Sequence, residues 1–267
     1  MAELWKSVNY KTPVRYFVNT YIREYDLSAA NISALLFTGR ISQEEYFQYL
    51  NMEKSLREKA IGLLIKKDKS IYKDIQTGII EAKRQLLSAN NVDNFNVVAV
   101  KNDAVFIVGE PLQYTSFPPL TFRCKNVYTI FLQLKDLEIY YNDFLDNSGV
   151  NINIDIKGIS DDTLLCHQNG MFDLVCDVCY RLQRENIKDT MYWISEMYRL
   201  FITRSLPKQY YRNFDAISGY TLNTLIHSIV VSDIDDSMIS SIDINRNLSI
   251  LRDLLGIISD IYRRQNQ

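Results

Sequence analysis

Hydrophobic positions along this chain change their spacing three times, and the changes divide it into segments. Tyr21-Ile-Arg-Glu-Tyr-Asp26 reads as a short β-type run, and a helix-like segment, Ala29 to Phe37, follows it at once. Ser42-Gln-Glu-Glu45 has the form of a capping box, with hydroxyl and carboxylate satisfying backbone donors, and predicts a helix running to about Met52. A second helical stretch covers about Glu53 to Lys66. Ser70 is positioned to cap a third, in which Ile71, Ile75, Ile79, Ala82, Leu86 and Ala89 recur at helical spacing until Asn90-Asn91 ends it. Two apolar runs then appear, Phe95 to Val100 and Ala104 to Val108, separated by Lys101-Asn-Asp103. Asn and Asp tolerate turn backbone, so the pattern predicts a tight hairpin with Asp103 at its tip.

Loops at Gly109-Glu-Pro-Leu112 and Phe117-Pro-Pro119 precede further β-type runs at Thr121 to Cys124, Tyr128 to Leu134 and Glu138 to Tyr141. The alternation in Asn151-Ile-Asn-Ile-Asp-Ile156 adds one more strand. From about Ser160 the spacing becomes that of long amphipathic helices, at Asp189 to Arg204, Tyr220 to Ser232 and Asn245 to Arg263. Strands followed by helices make an α+β chain. The expected division lies near Gly158: a sheet domain over residues 1–157 with a helical insertion at about 42–91, then an all-helical module over 158–267.

Composition narrows the class. A chain of 267 residues, 47% hydrophobic, can bury a substantial core, and its 9 Gly and 5 Pro are scattered rather than clustered. The opening Met1-Ala-Glu-Leu-Trp-Lys6 lacks an export-type apolar stretch, and no apolar run reaches bilayer length, so a cytoplasmic location without membrane contact is expected. The richness in Tyr, Asn, Ile and Lys suits an AT-rich genome, such as that of a low-GC bacterium or its phage. Cys166-His167 and Cys176-Asp-Val-Cys179 could together supply four zinc ligands. The second pair falls inside a run that reads as one helix, where Cys more often serves as a small core residue.

The chemistry rests on two aspartates, Asp26 at a strand end and Asp103 at a hairpin tip. Two carboxylates a few Å apart repel unless a cation lies between them. Mg²⁺ or Mn²⁺ would resolve that repulsion, since Mg²⁺ takes hard oxygen ligands and is commonly held by one or two carboxylates plus substrate phosphates. Phosphoryl transfer is the reaction such a site suits. Each residue also has a plainer role open to it, Asp26 as a residue at a helix N-terminus and Asp103 as a turn former. Between the two, from Glu53 to Arg84, nine basic residues face five acidic ones, a local excess of four in a chain whose net charge is −2.

A strand ending in Asp, a helix with Asn, a basic helical segment and a strand-turn-strand with Asp at its tip together resemble the palm domain of template-dependent nucleic-acid polymerases. Tyr25-Asp-Leu-Ser-Ala-Ala-Asn31 resembles motif A, and Lys101-Asn-Asp-Ala-Val-Phe106 resembles motif C. Ile156-Lys-Gly-Ile159 is similar to the segment leading from palm to thumb in family B DNA polymerases, so a minimal, divergent, phage-type member is the closest likeness. The sequence departs from that family in carrying one acid, not two, around the hairpin turn, with Asn102 and Glu110 as the other candidate ligands.

The resemblance implies a palm-like antiparallel sheet, a fingers-like helical insertion and a thumb-like helical module. It implies a metal-dependent nucleotidyltransferase, polymerase- or primase-like, adding nucleotides to a nucleic-acid 3′ end. Asp26 and Asp103 would be its catalytic metal ligands. Arg57, Lys83 and Arg84 would contact a triphosphate, and Tyr25, Asn31 and Lys101 would lie beside it. Partners would be nucleic acid, nucleoside triphosphates and a possible further protein. Two other readings use the same residues: a palm-derived accessory factor that binds nucleic acid or a protein without turnover, and a metal nuclease.

Overall fold

The computed structural model describes residues 3–7, 9–135, 137–146, 149–158, 170–211 and 241–266. The chain forms two compact units, one from Met1–Pro13 and Tyr21–Val127, the other from Val14–Thr20 and Tyr128–Gln267.

The first unit contains β1 (Tyr10–Lys11), residues 21–27 of β2 (Tyr16–Leu27), the helices α1 (Ala30–Phe37), α2 (Gln43–Leu50), α3 (Lys54–Lys67) and α4 (Ser70–Ala89), then β3 (Val97–Val100), β4 (Ala104–Val108), β5 (Ser116–Phe117) and residues 120–127 of β6 (Leu120–Leu134). Its strands run in the order β1-β3-β4-β2-β6, with β5 paired to β6. The β1/β3, β3/β4 and β2/β4 pairs are antiparallel. Period-2 alternation sends Tyr25 and Leu27 of β2 into an apolar core with Val105 and Ile107 of β4, while Glu24 and Asp26 take the other face. That core is closed by Ile32 and Leu35 of α1 and by Ile75, Ile79, Ala82 and Leu86 of α4, all 2% exposed or less. The spacing of the α4 residues is the helical one expected from the sequence, and each buried aliphatic side chain contributes about 1.5–3 kcal/mol.

The capping box at Ser42 is present, since the Glu45 amide donates to the Ser42 hydroxyl and the Ser42 amide to the Glu45 carboxylate. Ser70 does not cap α4. Its own amide and hydroxyl donate to Asp68, at 2.9 and 2.6 Å, so the carboxylate just ahead of the helix takes that role. The two β-type runs expected over Thr121 to Leu134 are one strand of 15 residues, β6. Arg123, Lys125 and Asn126 interrupt its apolar pattern without breaking it, because Arg123 and Lys125 sit two apart in the strand and meet acids of β2.

The second unit carries residues 16–20 of β2, residues 128–134 of β6, then β7 (Leu137–Asp146), β8 (Gly149–Lys157), α5 (Gly170–Arg184), α6 (Ile187–Ile202) and α7 (Ser241–Gln265). Here the strand order is β2-β6-β7-β8, and β7 pairs antiparallel with both β6 and β8. Leu132, Ile139, Tyr141 and Ile156 share one core with Leu174 and Val178 of α5, Ile194 of α6 and Leu254 and Ile258 of α7. For that reason β7 and β8 are compact with the helices instead of with the first unit. The division expected near Gly158 falls at Val127/Tyr128, and the C-terminal unit is sheet plus helices, not helices alone. Gly158, with φ 99°, follows the last strand. Ile159, the Cys166-His167 pair and the helix expected over Tyr220 to Ser232 lie outside the described residues. Cys176 and Cys179 fall within α5, where burial pushes the Cys176 thiol up to about 12 and that of fully buried Cys179 well above its ordinary value.

On β7, the Asp143 carboxylate is fully buried and accepts from Nε of Arg184 at 2.9 Å. Removing one partner of such a pair leaves a buried charge uncompensated, whereas removing both need not. Arg184→Met is therefore expected to lower the urea midpoint clearly, and Asp143→Asn added to it to recover part of the loss. Equal midpoints for wild type and Arg184→Met would show that the pair contributes nothing.

Candidate functional site

Register alone brings the two aspartates to one end of the first unit's sheet. Asp26 of β2 lies opposite Ala104 of β4, and the Leu27 amide donates to the Asp103 carbonyl at 2.9 Å. The hairpin closes with the Lys101 amide donating to the Ala104 carbonyl at 2.8 Å, which leaves Asp103 at the tip as its sequence predicts. Asp26 keeps 21% of its side-chain surface. Its carboxyl is raised above the usual carboxylate range, first by burial and next by the charge of Asp103, against the opposing pull of Lys125 and Arg123. The two acids thus act on one another, as ligands of a shared cation would.

Cations and a third acid surround the pair. Nη2 of Arg123 lies 3.6 Å from Asp26, and Nζ of Lys125 lies 3.5 Å from Glu24. Glu24 is 3% exposed and also accepts from Nδ2 of Asn126 at 2.6 Å. These partners follow from period 2: Arg123 and Lys125 on β6 present cations at the spacing at which Glu24 and Asp26 on β2 present carboxylates. The Arg-x-Lys pattern is the signal for them in the sequence.

The other predicted site residues are dispersed. Tyr25, next to Asp26 in sequence, takes the opposite face of β2, is 2% exposed, and its hydroxyl accepts from the Leu112 amide at 2.7 Å. Asn31 stands in the first turn of α1. Nζ of Lys101 donates to Asn9 at 3.4 Å. Arg57 belongs to α3, whose one buried residue is Ile61. Arg84 is a surface residue held by Glu81, its neighbour one turn away, with Nε to Oε2 at 2.8 Å. Lys83 is 1% exposed, so it does not present its ammonium to solvent as a phosphate contact would. Nζ donates to the Ser7 carbonyl at 2.7 Å and reaches the Lys101 carbonyl at 3.5 Å. Helical periodicity places it on the inner side of α4, with Ile79 and Leu86.

Burial lowers the Lys83 ammonium to about 8, with the charge of Asp103 opposing. A lysine ordinarily near 10.5 that titrates at about 8 when folded costs stability at every pH below 8. That cost disappears as pH rises from 8 toward 10.5, where the unfolded chain binds the extra proton. The span corresponds to about 3 kcal/mol. The stability difference between wild type and Lys83→Met is accordingly expected to shift in favour of wild type from about pH 8 to about pH 10, as read by chemical denaturation. A constant difference across that window would show that Lys83 is not desolvated.

Among the described residues no group of three or more His, Cys, Asp or Glu side chains could hold a metal ion, so the donor set at this site is the two aspartates. Two carboxylates are hard donors and meet the usual minimum for Mg²⁺, water and phosphate completing its shell. Beside the strand end, an open pocket of about 460 Å³ is lined by Leu36, Tyr46, Phe47, Pro118 and Pro119, with Gln43 and Thr121 as polar members. Thr121 links it to the acids, because its carbonyl accepts from the Ser28 amide at 2.8 Å, two residues beyond Asp26. Among the described residues no helix is long and apolar enough to cross a membrane.

The chain matches the model of the bacteriophage PBS1 gene 130 protein family over residues 1–260, and it belongs to that family. The family's description names a phage gene product, which agrees with the phage source expected from composition, and states no activity. No curated protein matches the chain.

Proposed function

We propose that this member of the PBS1 gene 130 family is a metal-dependent nucleotidyltransferase with a palm-like first unit, β2 serving as the motif A strand and the β3–β4 hairpin as motif C. What carries the reading is the meeting of Asp26 and Asp103 at one sheet end, where the charge of Asp103 acts on the Asp26 carboxylate. Asp26 and Asp103 would hold one Mg²⁺ or Mn²⁺. Such an ion, when bound, favours ionisation of an attacking hydroxyl and offsets charge on the phosphates. Arg123, 68% exposed, is free to turn from Asp26 toward a phosphate, where a guanidinium binds in bidentate fashion. The Tyr46, Phe47 and proline walls of the adjacent pocket offer apolar surface on which a base can stack.

The test is nucleotide incorporation on a labelled primer-template, with each dNTP and NTP, in Mg²⁺, Mn²⁺ and EDTA. Metal-dependent extension supports the proposal. A folded protein that extends nothing, and whose metal and nucleic-acid binding is unaltered by Asp26→Asn or Asp103→Asn, would sink it. One observation favours the second reading, an accessory factor that binds nucleic acid without turnover. Arg123 and Lys125 already stand against Asp26 and Glu24, so two of the acids at this sheet end have cations of the chain's own beside them.

A further inference from the structure

The two ion pairs between β2 and β6 are not equivalent. Glu24 is 3% exposed, lies 3.5 Å from Nζ of Lys125 and accepts from Nδ2 of Asn126 at 2.6 Å, so its charge is met inside the fold. Among the described residues Asp26 has one ion-pair partner, Nη2 of Arg123 at 3.6 Å, which is beyond hydrogen-bonding distance. Arg123 is 68% exposed and lies in the stretch of β6 ahead of its pairing with β7, which begins at Ile130. Breaking a buried pair leaves a charge uncompensated, whereas an exposed pair contributes little and is readily parted. The Lys125 pair is thus a fixture of the fold, and the Arg123 pair is a contact that another cation can replace.

We propose that Arg123 is a gate that couples two ligands of this site: it competes with a divalent ion for the Asp26 carboxylate and, once displaced, takes up the phosphates of a triphosphate. The inference rests on the metal reading of Asp26 and Asp103. A guanidinium and a divalent cation at one carboxylate repel each other, so the ion turns Arg123 out. The released fork of N–H donors matches phosphate oxygens, and the ion offsets the charge with which the two carboxylates would repel a triphosphate. Each ligand therefore favours the other, and the coupling is reciprocal. One consequence separates a gate from a brace: removing Arg123 changes the affinities for the bare ion and for the ion–triphosphate complex in opposite directions. The bare ion gains about threefold, since no pair has to be parted, a size set by the exposure of the pair. The complex loses the guanidinium fork, a loss of about tenfold.

The experiment is a pair of titrations of the full chain at neutral pH, for wild type, Arg123→Gln and Asp26→Asn, each checked for folding by circular dichroism. Mn²⁺ alone is followed by electron paramagnetic resonance, and inorganic tripolyphosphate with equimolar Mn²⁺ by calorimetry. The expected result is bare Mn²⁺ bound about threefold more tightly by Arg123→Gln than by wild type, the tripolyphosphate complex about tenfold more weakly, and bare Mn²⁺ lost in Asp26→Asn. Bare-ion affinity equal or lower in folded Arg123→Gln, with binding still lost in Asp26→Asn, overturns the gate and leaves the metal reading standing. So does a complex that Arg123→Gln binds as tightly as wild type does, because Arg123 then serves Asp26 alone. Mn²⁺ bound by neither wild type nor Arg123→Gln, or bound undiminished by Asp26→Asn, overturns the gate and the metal reading together. Should Arg123→Gln fail to fold, a Mn²⁺-soaked crystal of wild type decides, and a guanidinium still paired with Asp26 beside the bound ion overturns the proposal.

Discussion

Asp26→Asn and Asp103→Asn are each expected to reduce metal-dependent nucleotide incorporation at least about a thousandfold, a loss of about 4 kcal/mol of transition-state stabilisation. Asparagine keeps the size and one oxygen of each ligand but removes the charge that holds a divalent ion, and with two protein ligands the site has none to spare. The fold should not suffer. Asp26 is held protonated more readily in the folded chain than in the unfolded one, because burial and the Asp103 charge both disfavour its ionised form. An acid whose folded value is raised costs stability above that value, and the cost is absent at lower pH where it is protonated in both states. Asp26→Asn removes that cost, so the variant should be at least as stable as wild type at about pH 7 while inactive, a pairing expected of a functional carboxylate and not of a structural one. A variant both less stable and less active would assign Asp26 to the fold. Incorporation retained within about tenfold in both variants would end the metal-site reading.

Much of the first unit is legible in the sequence because its period changes are unambiguous. The hairpin around Lys101-Asn-Asp103 and the α4 spacing are local patterns, and local patterns survive folding when a core is present to receive them. The direction of single side chains is harder to read. Lys83 is flanked by Ala82 and Arg84, and whether it points outward with Arg84 or inward with Leu86 depends on the phase of the helix against a core completed by α1 and β3. Adjacency in sequence puts Tyr25 beside Asp26, yet adjacency in a strand means opposite faces, and the alternation that separates the two is itself a sequence pattern. Burial of the Lys83 ammonium has no such signal, since it depends on carbonyls of Ser7 and Lys101, 76 and 18 residues away.

The boundary between the two compact units is hard to read from sequence for another reason. A change from strands to helices along the chain locates elements, but a compact unit is defined by which elements share a core. Ile139, Tyr141 and Ile156 do face inward from their strands, and the helices that cover them lie later in the chain. Only long-range packing separates a sheet completed by its own helices from a sheet followed by a helical module. The helices between β2 and β3 illustrate the converse. Their excess of basic residues consists largely of surface groups on α3 and α4, and acids of α4 such as Glu81 and Asp74 hold arginines nearby, so the charge run marks a solvated face more than a phosphate site.

Gly78→Ala is expected to cost about 3 kcal/mol, the largest stability loss among single substitutions at the glycines of the first unit, and the reason is the approach of two helices. Gly78 lies inside α4, where alanine would ordinarily gain about 1 kcal/mol in helix propensity. A Cβ at this position would meet the Cβ of Ala34 at 2.6 Å, its Cα at 2.7 Å and its carbonyl oxygen at 3.0 Å. Two of those three atoms are backbone, so no rotamer change relieves them and α1 must move away from α4. Ala34 and its neighbours Ile32 and Leu35 are 1% exposed or less and belong to the helix that follows Asp26. Separating the pair opens the core on both sides, an overpacking cost of about 3 kcal/mol or more that outweighs the propensity gain. Gly62→Ala provides the contrast, since nothing lies within 4 Å of its Cβ position on exposed α3, and there the propensity term acts alone and should stabilise by up to about 1 kcal/mol. Paired thermal melts should therefore move in opposite directions, with Gly78→Ala down by about 10 °C for a chain of this size. A Gly78→Ala protein as stable as wild type would show that α1 and α4 are not in the close contact on which the placement of Asp26 depends.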